Sequence, residues 1–585
     1  MSEHRTLKVR EEAGDTPRIL LIRLALAAIA FVPTVLHFGW PEPVLDQGLL
    51  HGLQIVAVAT FLVAMFVSMH RVGGREARRR FLLLHWAEVS LLVIAAGISW
   101  SWLGLALTTS ALMVVASLRV YLLVAKLHIP PGLVFVGSFL ALIVVGSAGL
   151  MLPAATPEDQ PIGVIDAAFT ITSAVSQTGL VVRPTGESFT RFGQVIIMAW
   201  IQIGALGILV FGAVVATMLG SSFGLHATQT LGETTEQGWE GLHSLGRLVL
   251  FIMIVTHVTE LVGAGLFYVT LPEDWVGAPP MPGVSDRVFH CVFLSVSAFC
   301  NAGFATMPNS FEGLRAGLAP HLVLVVMVLV GLLGFPVLQN IMHVAVSRLR
   351  RRRTDGKRLI RLDTHTKIVL TTLVIVYLIG MLLIFLGEML QTATPWREAV
   401  LDAHFLAAQR TAGFNTVPPS EIGLFARLAV IFLMFVGGAP VSTAGGLKVV
   451  VLAILALTVW STIRGRPQTE AWGRTIPDEI VRKCATILAL CLLTCMITVG
   501  VLAATERLDD DTRLEPLLFE AVSAFGTSGL STGITADLSD PGKVAIMLAM
   551  FVGRVGALAV FAAVFSVRPA RRAQYAYPRG DVLIY

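Results

Sequence analysis

The sequence predicts an all-α integral membrane protein: four tandem M1–pore loop–M2 repeats around a central ion path, preceded by about four extra transmembrane helices. Three observations predict it. The 585-residue chain is 55% hydrophobic and only 14% charged, with a mean hydropathy of +0.77, whereas soluble domains carry roughly 25% charged residues. Apolar runs of about 20 residues, each long enough to cross a bilayer as a helix, recur along the whole chain. One glycine-centred motif returns four times.

The amino-terminal region, 1–126, holds four apolar stretches at about 19–39, 50–69, 81–102 and 105–125. The first is too long for a secretory signal, and no small-residue cleavage site follows it. Arginine and lysine crowd into alternate connections, as cytoplasmic loops require. They occur at Arg5, Lys8, Arg10 and Arg18, in RVGGREARRR (71–80), in RLRRRRTDGKRLIRLDTHTK (348–367), across 464–483, and at Arg568, Arg571 and Arg572. The intervening connections are acidic or neutral: PEPVLD (41–46), ATPEDQP (155–161), LPED (271–274) and ERLDDD (506–511). This alternation places both termini in the cytoplasm. It also argues against nucleic-acid binding, because the basic runs sit between spans. Four helices ahead of a pore invite comparison with a voltage sensor, which carries several regularly spaced arginines. Only Arg119 and Lys126 are available, so a stabilising or docking bundle is the better reading.

The repeats follow as 127–222, 223–347, 348–463 and 464–585. They align on Gly179, Gly303, Gly413 and Gly529, spaced 124, 110 and 116 residues apart. Around these glycines stand SAVSQTGLV (173–181), SAFCNAGFA (297–305), AAQRTAGFN (407–415) and SAFGTSGLS (523–531). A second signature follows 24 to 28 residues later: IGALG (203–207), VGLLG (330–334), VGGAP (436–440) and VGRVG (552–556). An apolar span precedes each motif, at about 132–152, 248–271, 368–387 and 484–503.

Irregular backbone at membrane depth is tolerated only where it is buried in protein or lines an aqueous path. Glycine reaches backbone angles that other residues avoid, so four such segments can aim carbonyl oxygens at one axis and replace an ion's hydration shell. Short helices ending there would add partial negative charge. The candidate filter is therefore Ser176, Gln177, Thr178 and Gly179; Cys300, Asn301, Ala302 and Gly303; Arg410, Thr411, Ala412 and Gly413; and Gly526, Thr527, Ser528 and Gly529. The glycines of the second signature, Gly204, Gly331, Gly437 and Gly553, read equally as tight helix crossings.

Two features point to a gate. The run 437–446, GGAPVSTAGG, breaks a helix with glycines, a proline and small hydroxyl residues. Gly437, Gly438, Gly445, Gly446 and Lys448 belong to this region. Arg554 lies deep in an apolar span, where a cation is costly and is a functional candidate by default. It either faces the ion path or pairs structurally with a carboxylate or backbone carbonyls. Glu88, His257 and Glu260 also fall inside spans and read as helix–helix hydrogen-bonding groups. Cys484, Cys491 and Cys495 share a helical stripe and read as packing residues; none of the five cysteines, Cys291 and Cys300 included, forms a CxxC pair or a metal-like cluster with histidine.

FTITSAVSQTGLVV, FLSVSAFCNAGF, QRTAGFNT and FEAVSAFGTSGLSTG resemble the four filter regions of the Trk/Ktr/HKT superfamily of potassium transporters, and most of all the bacterial KtrB-type (TrkH-like) pore subunits. IQIGALG, FVGGAPVSTAGGLK, MFVGRVG and the tail YAYPRGDVLIY resemble the corresponding motifs of that branch. The resemblance covers about 130–585. It implies potassium uptake across the cytoplasmic membrane, with the ion at Thr178, Gly179, Ala302, Gly303, Ala412, Gly413, Ser528 and Gly529. It also implies an intramembrane-loop gate supported by Arg554, a homodimer, and a separate cytoplasmic nucleotide-binding ring of the KtrA/TrkA type. This chain carries no nucleotide-binding segment of its own. The basic runs at 348–367 and 464–483 read either as docking surfaces for that ring or as topology signals alone.

Three departures stand out. Gln177 replaces the usual Val or hydroxyl residue, Arg410 opens the third filter, and Cys300 and Asn301 occupy the second. In the superfamily, serine at the first filter glycine accompanies sodium selectivity, so Gly179 favours potassium; a sodium-preferring or sodium-coupled pore of the same fold is the alternative. A secondary transporter would show paired broken helices and mid-membrane ionisable groups instead. A membrane enzyme is disfavoured, because no Walker A, GxSxG or HExxH stretch appears.

Overall fold

A computed structural model describes residues 17–42, 45–71, 86–97, 101–124, 131–218, 240–272, 283–307, 310–315, 317–351, 361–392, 394–506 and 514–557. The amino-terminal basic residues up to Thr16, RVGGREARRR from Val72 on, Lys126, the centre of the 348–367 run, the second half of LPED, ERLDDD beyond Glu506, and the tail from Leu558 lie outside the described residues, as does the Arg119 side chain.

The first four helices are α1 (Pro17–Phe38), α2 (Gln47–Arg71), α3 (Trp86–Gly97) and α4 (Trp102–Val124). They share an apolar cluster that includes Ala27, Phe61, Leu92 and Leu112. Polar groups staple the bundle from inside. Gln54 Nε2 donates to Thr34 Oγ1 at 2.8 Å and Thr109 Oγ1 at 3.1 Å, joining α1, α2 and α4. Arg23 lies 4.0 Å from Glu88, so α1 and α3 bury opposite charges together. The bundle meets the rest of the chain where Ala154 N donates to Gly39 O at 2.9 Å.

Four similar successions follow. In the first, α5 (Pro131–Leu150) leads to the short helix α6 (Val164–Ser176), one helical turn α7 (Thr185–Ser188) and α8 (Arg191–Met218). The second runs through α9 (Glu240–Thr270), α10 (Val284–Phe299), α11 (Leu318–Leu332) and α12 (Phe335–Arg351). The third holds α13 (Thr364–Gln391), α14 (Trp396–Gln409), α15 (Leu424–Phe435) and α16 (Val449–Ile463). The fourth comprises α17 (Asp478–Thr505), α18 (Leu514–Gly526) and α19 (Asp540–Val555). Five described helices are long and apolar enough to cross a membrane alone, and α11 with α12 makes a sixth if counted as one bent span.

The long helices form where apolar β-branched and leucine runs are uninterrupted. The short ones are amphipathic and end at the glycine motifs. One apolar cluster, with Ile171, Phe293 and Phe299, joins the first two successions; another, with Leu406, Leu433 and Phe525, joins the last two. A third packs Phe169 and Leu180 against Leu517, Ile546 and Met550. It makes the first and last successions neighbours and closes a ring.

Two second spans are not continuous helices. α11 and α12 meet at a 101° bend. Gly334 turns there with φ +77°, and Pro336 follows it. In the third succession the chain leaves helix at Phe435 and re-enters it at Val449. A two-stranded antiparallel hairpin, β1 (Thr469–Ala471) and β2 (Arg474–Ile476), follows α16. Trp472 and Gly473 turn it, both at positive φ, as a two-residue hairpin loop requires.

Candidate functional site

The carboxyl ends of α6, α10 and α18 share one design. The residue two before the motif glycine takes left-handed angles: Gln177 (φ 56°), Asn301 (φ 56°) and Thr527 (φ 48°). The next N–H reaches back to the helix: Thr178 N to Ser173 O at 2.9 Å, Ala302 N to Ser297 O at 2.8 Å, and Ser528 N to Ser523 O at 2.9 Å. These bonds satisfy helix-end carbonyls and turn the chain sharply. The third end differs. Arg410 keeps helical angles, and both Ala412 N and Gly413 N donate to Gln409 O.

The four glycines then converge. Gly179, Gly303, Gly413 and Gly529 have φ +88°, +72°, +73° and +83°. A Cβ built on Gly179 would lie 2.6 Å from Ala302 O, one on Gly303 2.6 Å from Ala412 O, and one on Gly413 2.7 Å from Ser528 O. One on Gly529 would press on Thr178 O. Each glycine thus faces the carbonyl that precedes another motif glycine, and the contacts pass from motif to motif until they return to the first. A side chain is excluded twice over, by backbone angle and by space.

The irregular 436–448 segment packs directly behind this ring. Val436 and Leu447 bridge its two arms. Ala439 N donates to Leu332 O at 3.1 Å and Phe335 N to Val441 O at 3.2 Å, fastening the segment to the α11–α12 bend. Of the residues two before each glycine, Asn301 and Thr527 bond the segment directly, Thr411 is linked to it through Asn301, and Gln177 through Arg554. Asn301 Nδ2 donates to Thr443 Oγ1 at 2.8 Å, and Thr411 Oγ1 donates to Asn301 Oδ1 at 3.1 Å. Gly445 N donates to Thr527 Oγ1 at 2.9 Å. Arg554 completes the set by donating to both the Thr443 carbonyl and Gln177 Oε1. Arg410 donates to Gly437 O at 3.3 Å, Gly446 N to Gly553 O at 3.2 Å, and Lys448 Nζ to Ala444 O at 2.6 Å. Among the described residues no carboxylate pairs with Arg554, so its guanidinium is held by two neutral oxygens.

The second-signature glycines have a shared steric task. A Cβ on Gly204, Gly331 or Gly553 would overlap the carbonyl oxygen of Val175, Phe299 or Phe525. Each of those residues stands four before its motif glycine. The second spans therefore lie flush against the ends of the short helices. Gly437 differs, since its crowding comes from Gly445 in the same segment. Gly553→Ala should therefore force α19 from α18 and destabilise the fold by about 1–3 kcal/mol. Gly207→Ala, with nothing within 4 Å, should stay within about 0.5 kcal/mol of the parent. Thermal unfolding of the two purified variants in detergent checks the contrast.

The remaining sequence candidates are placed as follows. Glu260 bridges helices, accepting from Gln202 Nε2 at 3.3 Å, and Cys300 Sγ lies 3.9 Å from its other oxygen. His257 is a correction: its ring bonds the Met253 carbonyl of its own helix at 2.9 Å, which satisfies the imidazole without a neighbouring helix. All five cysteines are buried and free. Ser176 Oγ and Thr178 Oγ1 are 2.7 Å apart, and Ser528 Oγ donates to Arg410 O at 2.5 Å.

On the far side of the ring a cavity of about 220 Å³ opens, floored by the four glycines. Val181, Ala305, Asn415, Leu530 and Ser531 line its wall, with Glu312. Burial pushes the Glu312 carboxyl up, the hydrogen bond from Asn415 pulls it back, and Glu421 pushes it up again. Nearby Arg315 is pushed up, first by its hydrogen bond to Asp402 and then by the charges of Asp402 and Glu398. Sequence reasoning missed Glu312, which stands in no glycine motif, and read Thr443 only as a small hydroxyl residue of the 437–446 run, not as a partner of Asn301 and Arg554. It also missed the joint role of Gln177, Asn301, Thr411 and Thr527, although all four are polar at the same register.

The chain matches the family described as "TrkH: Cation transport protein" over residues 134–571. It is 32% identical over 458 residues to "Ktr system potassium uptake protein B" of Bacillus subtilis, covering 77% of this chain and 96% of that one. It is 29% identical over 462 residues to "Potassium/sodium uptake protein NtpJ" of Enterococcus hirae, covering 78% and 98%. Its fold is similar to the crystal structure of the potassium transporter TrkH from Vibrio parahaemolyticus, with a TM-score of 0.60, 18% identity, and coverage of 83% and 97%. The four amino-terminal helices precede the family match. With the apolar helices and the four successions described above, these likenesses make the chain a multi-pass membrane protein of the TrkH cation-transport family, a transporter rather than an enzyme.

Proposed function

We propose that this chain takes up potassium across the cytoplasmic membrane through a filter formed by its four glycine segments. The observation that carries this reading is the closed ring of Gly179, Gly303, Gly413 and Gly529, each beside the carbonyl before another. In the proposal, the backbone of Thr178, Ala302, Ala412 and Ser528 and their glycines replaces the ion's water. The carboxyl ends of α6, α10, α14 and α18 favour the cation from behind. The units 127–222, 223–347, 348–463 and 464–585 contribute one segment each, and residues 1–126 act as an accessory bundle. The relatives' names support uptake of potassium and keep sodium as a second cation.

The gate of this proposal is the 437–446 segment with Lys448 and Arg554. Its supports are its lack of helix, its position behind the ring, and the bonds that tie it to Asn301, Thr527 and Gln177. Moving it aside would open a path below the filter. Two copies would each hold one path, with both termini in the cytoplasm. A nucleotide-binding ring of the KtrA/TrkA type would act on the basic segments 348–367 and 464–483.

Complementation tests the reading. Cells that lack potassium uptake should regain growth at low external potassium when they express this chain. A Gly413→Asp variant present in the membrane at equal amount should not restore it. Failure of the parent chain, alone and with a ring partner, would overturn potassium uptake.

A further inference from the structure

We propose that Glu312 makes an outer recruitment site for a monovalent cation, at the mouth of the cavity above the glycine ring. The inference rests on the reading of that ring as the ion path.

Three observations carry it. Glu312 is the one charged side chain among the described residues that line the cavity. Its position is fixed by the third motif itself. Asn415, two residues past Gly413, donates from Nδ2 to Glu312 Oε1 at 2.9 Å. The backbones are zipped beside it: Phe311 N donates to Asn415 O at 3.0 Å, and Asn415 N to Ser310 Oγ at 3.2 Å. The carboxylate is therefore held by the same strand of chain that leaves the ring. Among the described residues Asn415 is its one hydrogen-bond partner, which leaves Oε2 for water or a cation.

The basic groups nearby are offset as a set, three cations against three carboxylates: Arg183 and Lys543 share one, and Arg315 has two. Arg183 lies 3.4 Å from Asp166, and Lys543 Nζ 2.9 Å from the same residue. Arg315 lies 2.5 Å from Asp402 and 3.4 Å from Glu398. Among the described residues Glu312 is the carboxylate that lines the mouth, with Glu421 close enough to act on its charge and Glu520 set back behind Ser531, which donates to it. A walled cavity with one fixed carboxylate focuses field and raises the local cation concentration. Hydroxyl and amide oxygens of Ser310, Ser531 and Asn415 line the same cavity and suit a partly hydrated alkali cation.

The site predicts a change in affinity with no change in maximum rate. Potassium uptake is measured in proteoliposomes containing the full chain, with ionic strength set by N-methylglucamine chloride. Glu312→Gln should raise the half-saturating potassium concentration roughly three- to fivefold at low ionic strength, and the difference should fade at high salt as the charge is screened. The maximum rate per folded protein should hold. An unchanged half-saturation at low salt would overturn the site. So would an effect that salt does not diminish, which would mean a structural role through Asn415. A second variant keeps the test independent of how glutamine is tolerated. The native cysteines are buried, so Glu312→Cys can be labelled selectively. A negatively charged thiol reagent should restore half-saturation towards the parent value and a positively charged one should worsen it. Equal effects of the two reagents would sink the proposal. If Gly179→Ser leaves ion preference intact while the Glu312 results hold, the ring reading fails and the outer site stands.

Discussion

Gly179→Ser is expected to lower the preference for potassium over sodium roughly tenfold. Gly179 sits at φ +88°, where a non-glycine residue is strained by about 1–2 kcal/mol. Its new Cβ would meet Ala302 O at 2.6 Å and the Gly303 Cα at 2.9 Å. Both obstacles are backbone of the neighbouring motif, so relief comes only by moving the carbonyls that aim at the axis. A shift of discrimination by about 1.4 kcal/mol is a factor of ten. Competitive rubidium uptake against potassium and sodium reads the effect. The change should reach the ion rather than the fold, because the strain is confined to the mouth of a ring packed by unaltered helices. Unchanged discrimination in folded protein would remove Gly179 from the filter.

The second large effect is expected at Arg554. Its guanidinium donates to the Thr443 carbonyl and to Gln177 Oε1, so it ties the 437–446 segment to the end of α6. It does so as a buried cation with no carboxylate partner among the described residues. Removing it acts in two ways. The segment loses a charge-assisted hydrogen bond worth about 1.5–3 kcal/mol. An ion passing beneath the proposed filter would also be freed of a repulsion on the order of 4 kcal/mol, for a separation near 4 Å at an effective dielectric near 20, before hydration reduces it. Arg554→Gln should therefore raise potassium flux per folded protein roughly tenfold or more in the absence of a regulatory partner. A shortened 437–446 segment should do the same. Gln177→Leu, which removes one of the two acceptors, should give a smaller increase. If flux per folded protein falls in all three variants while yield drops, the arginine is a structural group and the segment is no gate.

Much of this arrangement is written locally. The apolar runs and their breaks gave the helices, because span length and hydropathy are properties of contiguous residues. The four glycines were visible because a left-handed turn at each tolerates little else, and the same demand repeats in register. The bend at Gly334 had a signal too, in the Gly–Phe–Pro sequence, but it was masked by apolar residues on both sides. Long-range pairings were another matter. Nothing local in Gln177 announces Arg554, 377 residues away, and nothing in Asn301 announces Thr443, 142 residues away. Arg554 was legible as a buried cation but not as the donor that joins the first motif to the third unit's irregular segment. Glu312 escaped notice for the same reason: a loop carboxylate gains its position only when Asn415 is folded against it. His257 shows the opposite limit. A polar residue in a span need not reach another helix when its own carbonyl ladder offers an acceptor.

Ion flux into proteoliposomes that contain only this chain, with potassium, rubidium, sodium and lithium offered separately, tests most directly whether the glycine ring selects potassium. A potassium-selective ring gives rapid entry of potassium and rubidium, much slower entry of sodium and lithium, and a narrowing of that gap on Gly179→Ser. Sodium entering as fast as potassium through the unaltered ring, or a gap that Gly179→Ser does not touch, would contradict it.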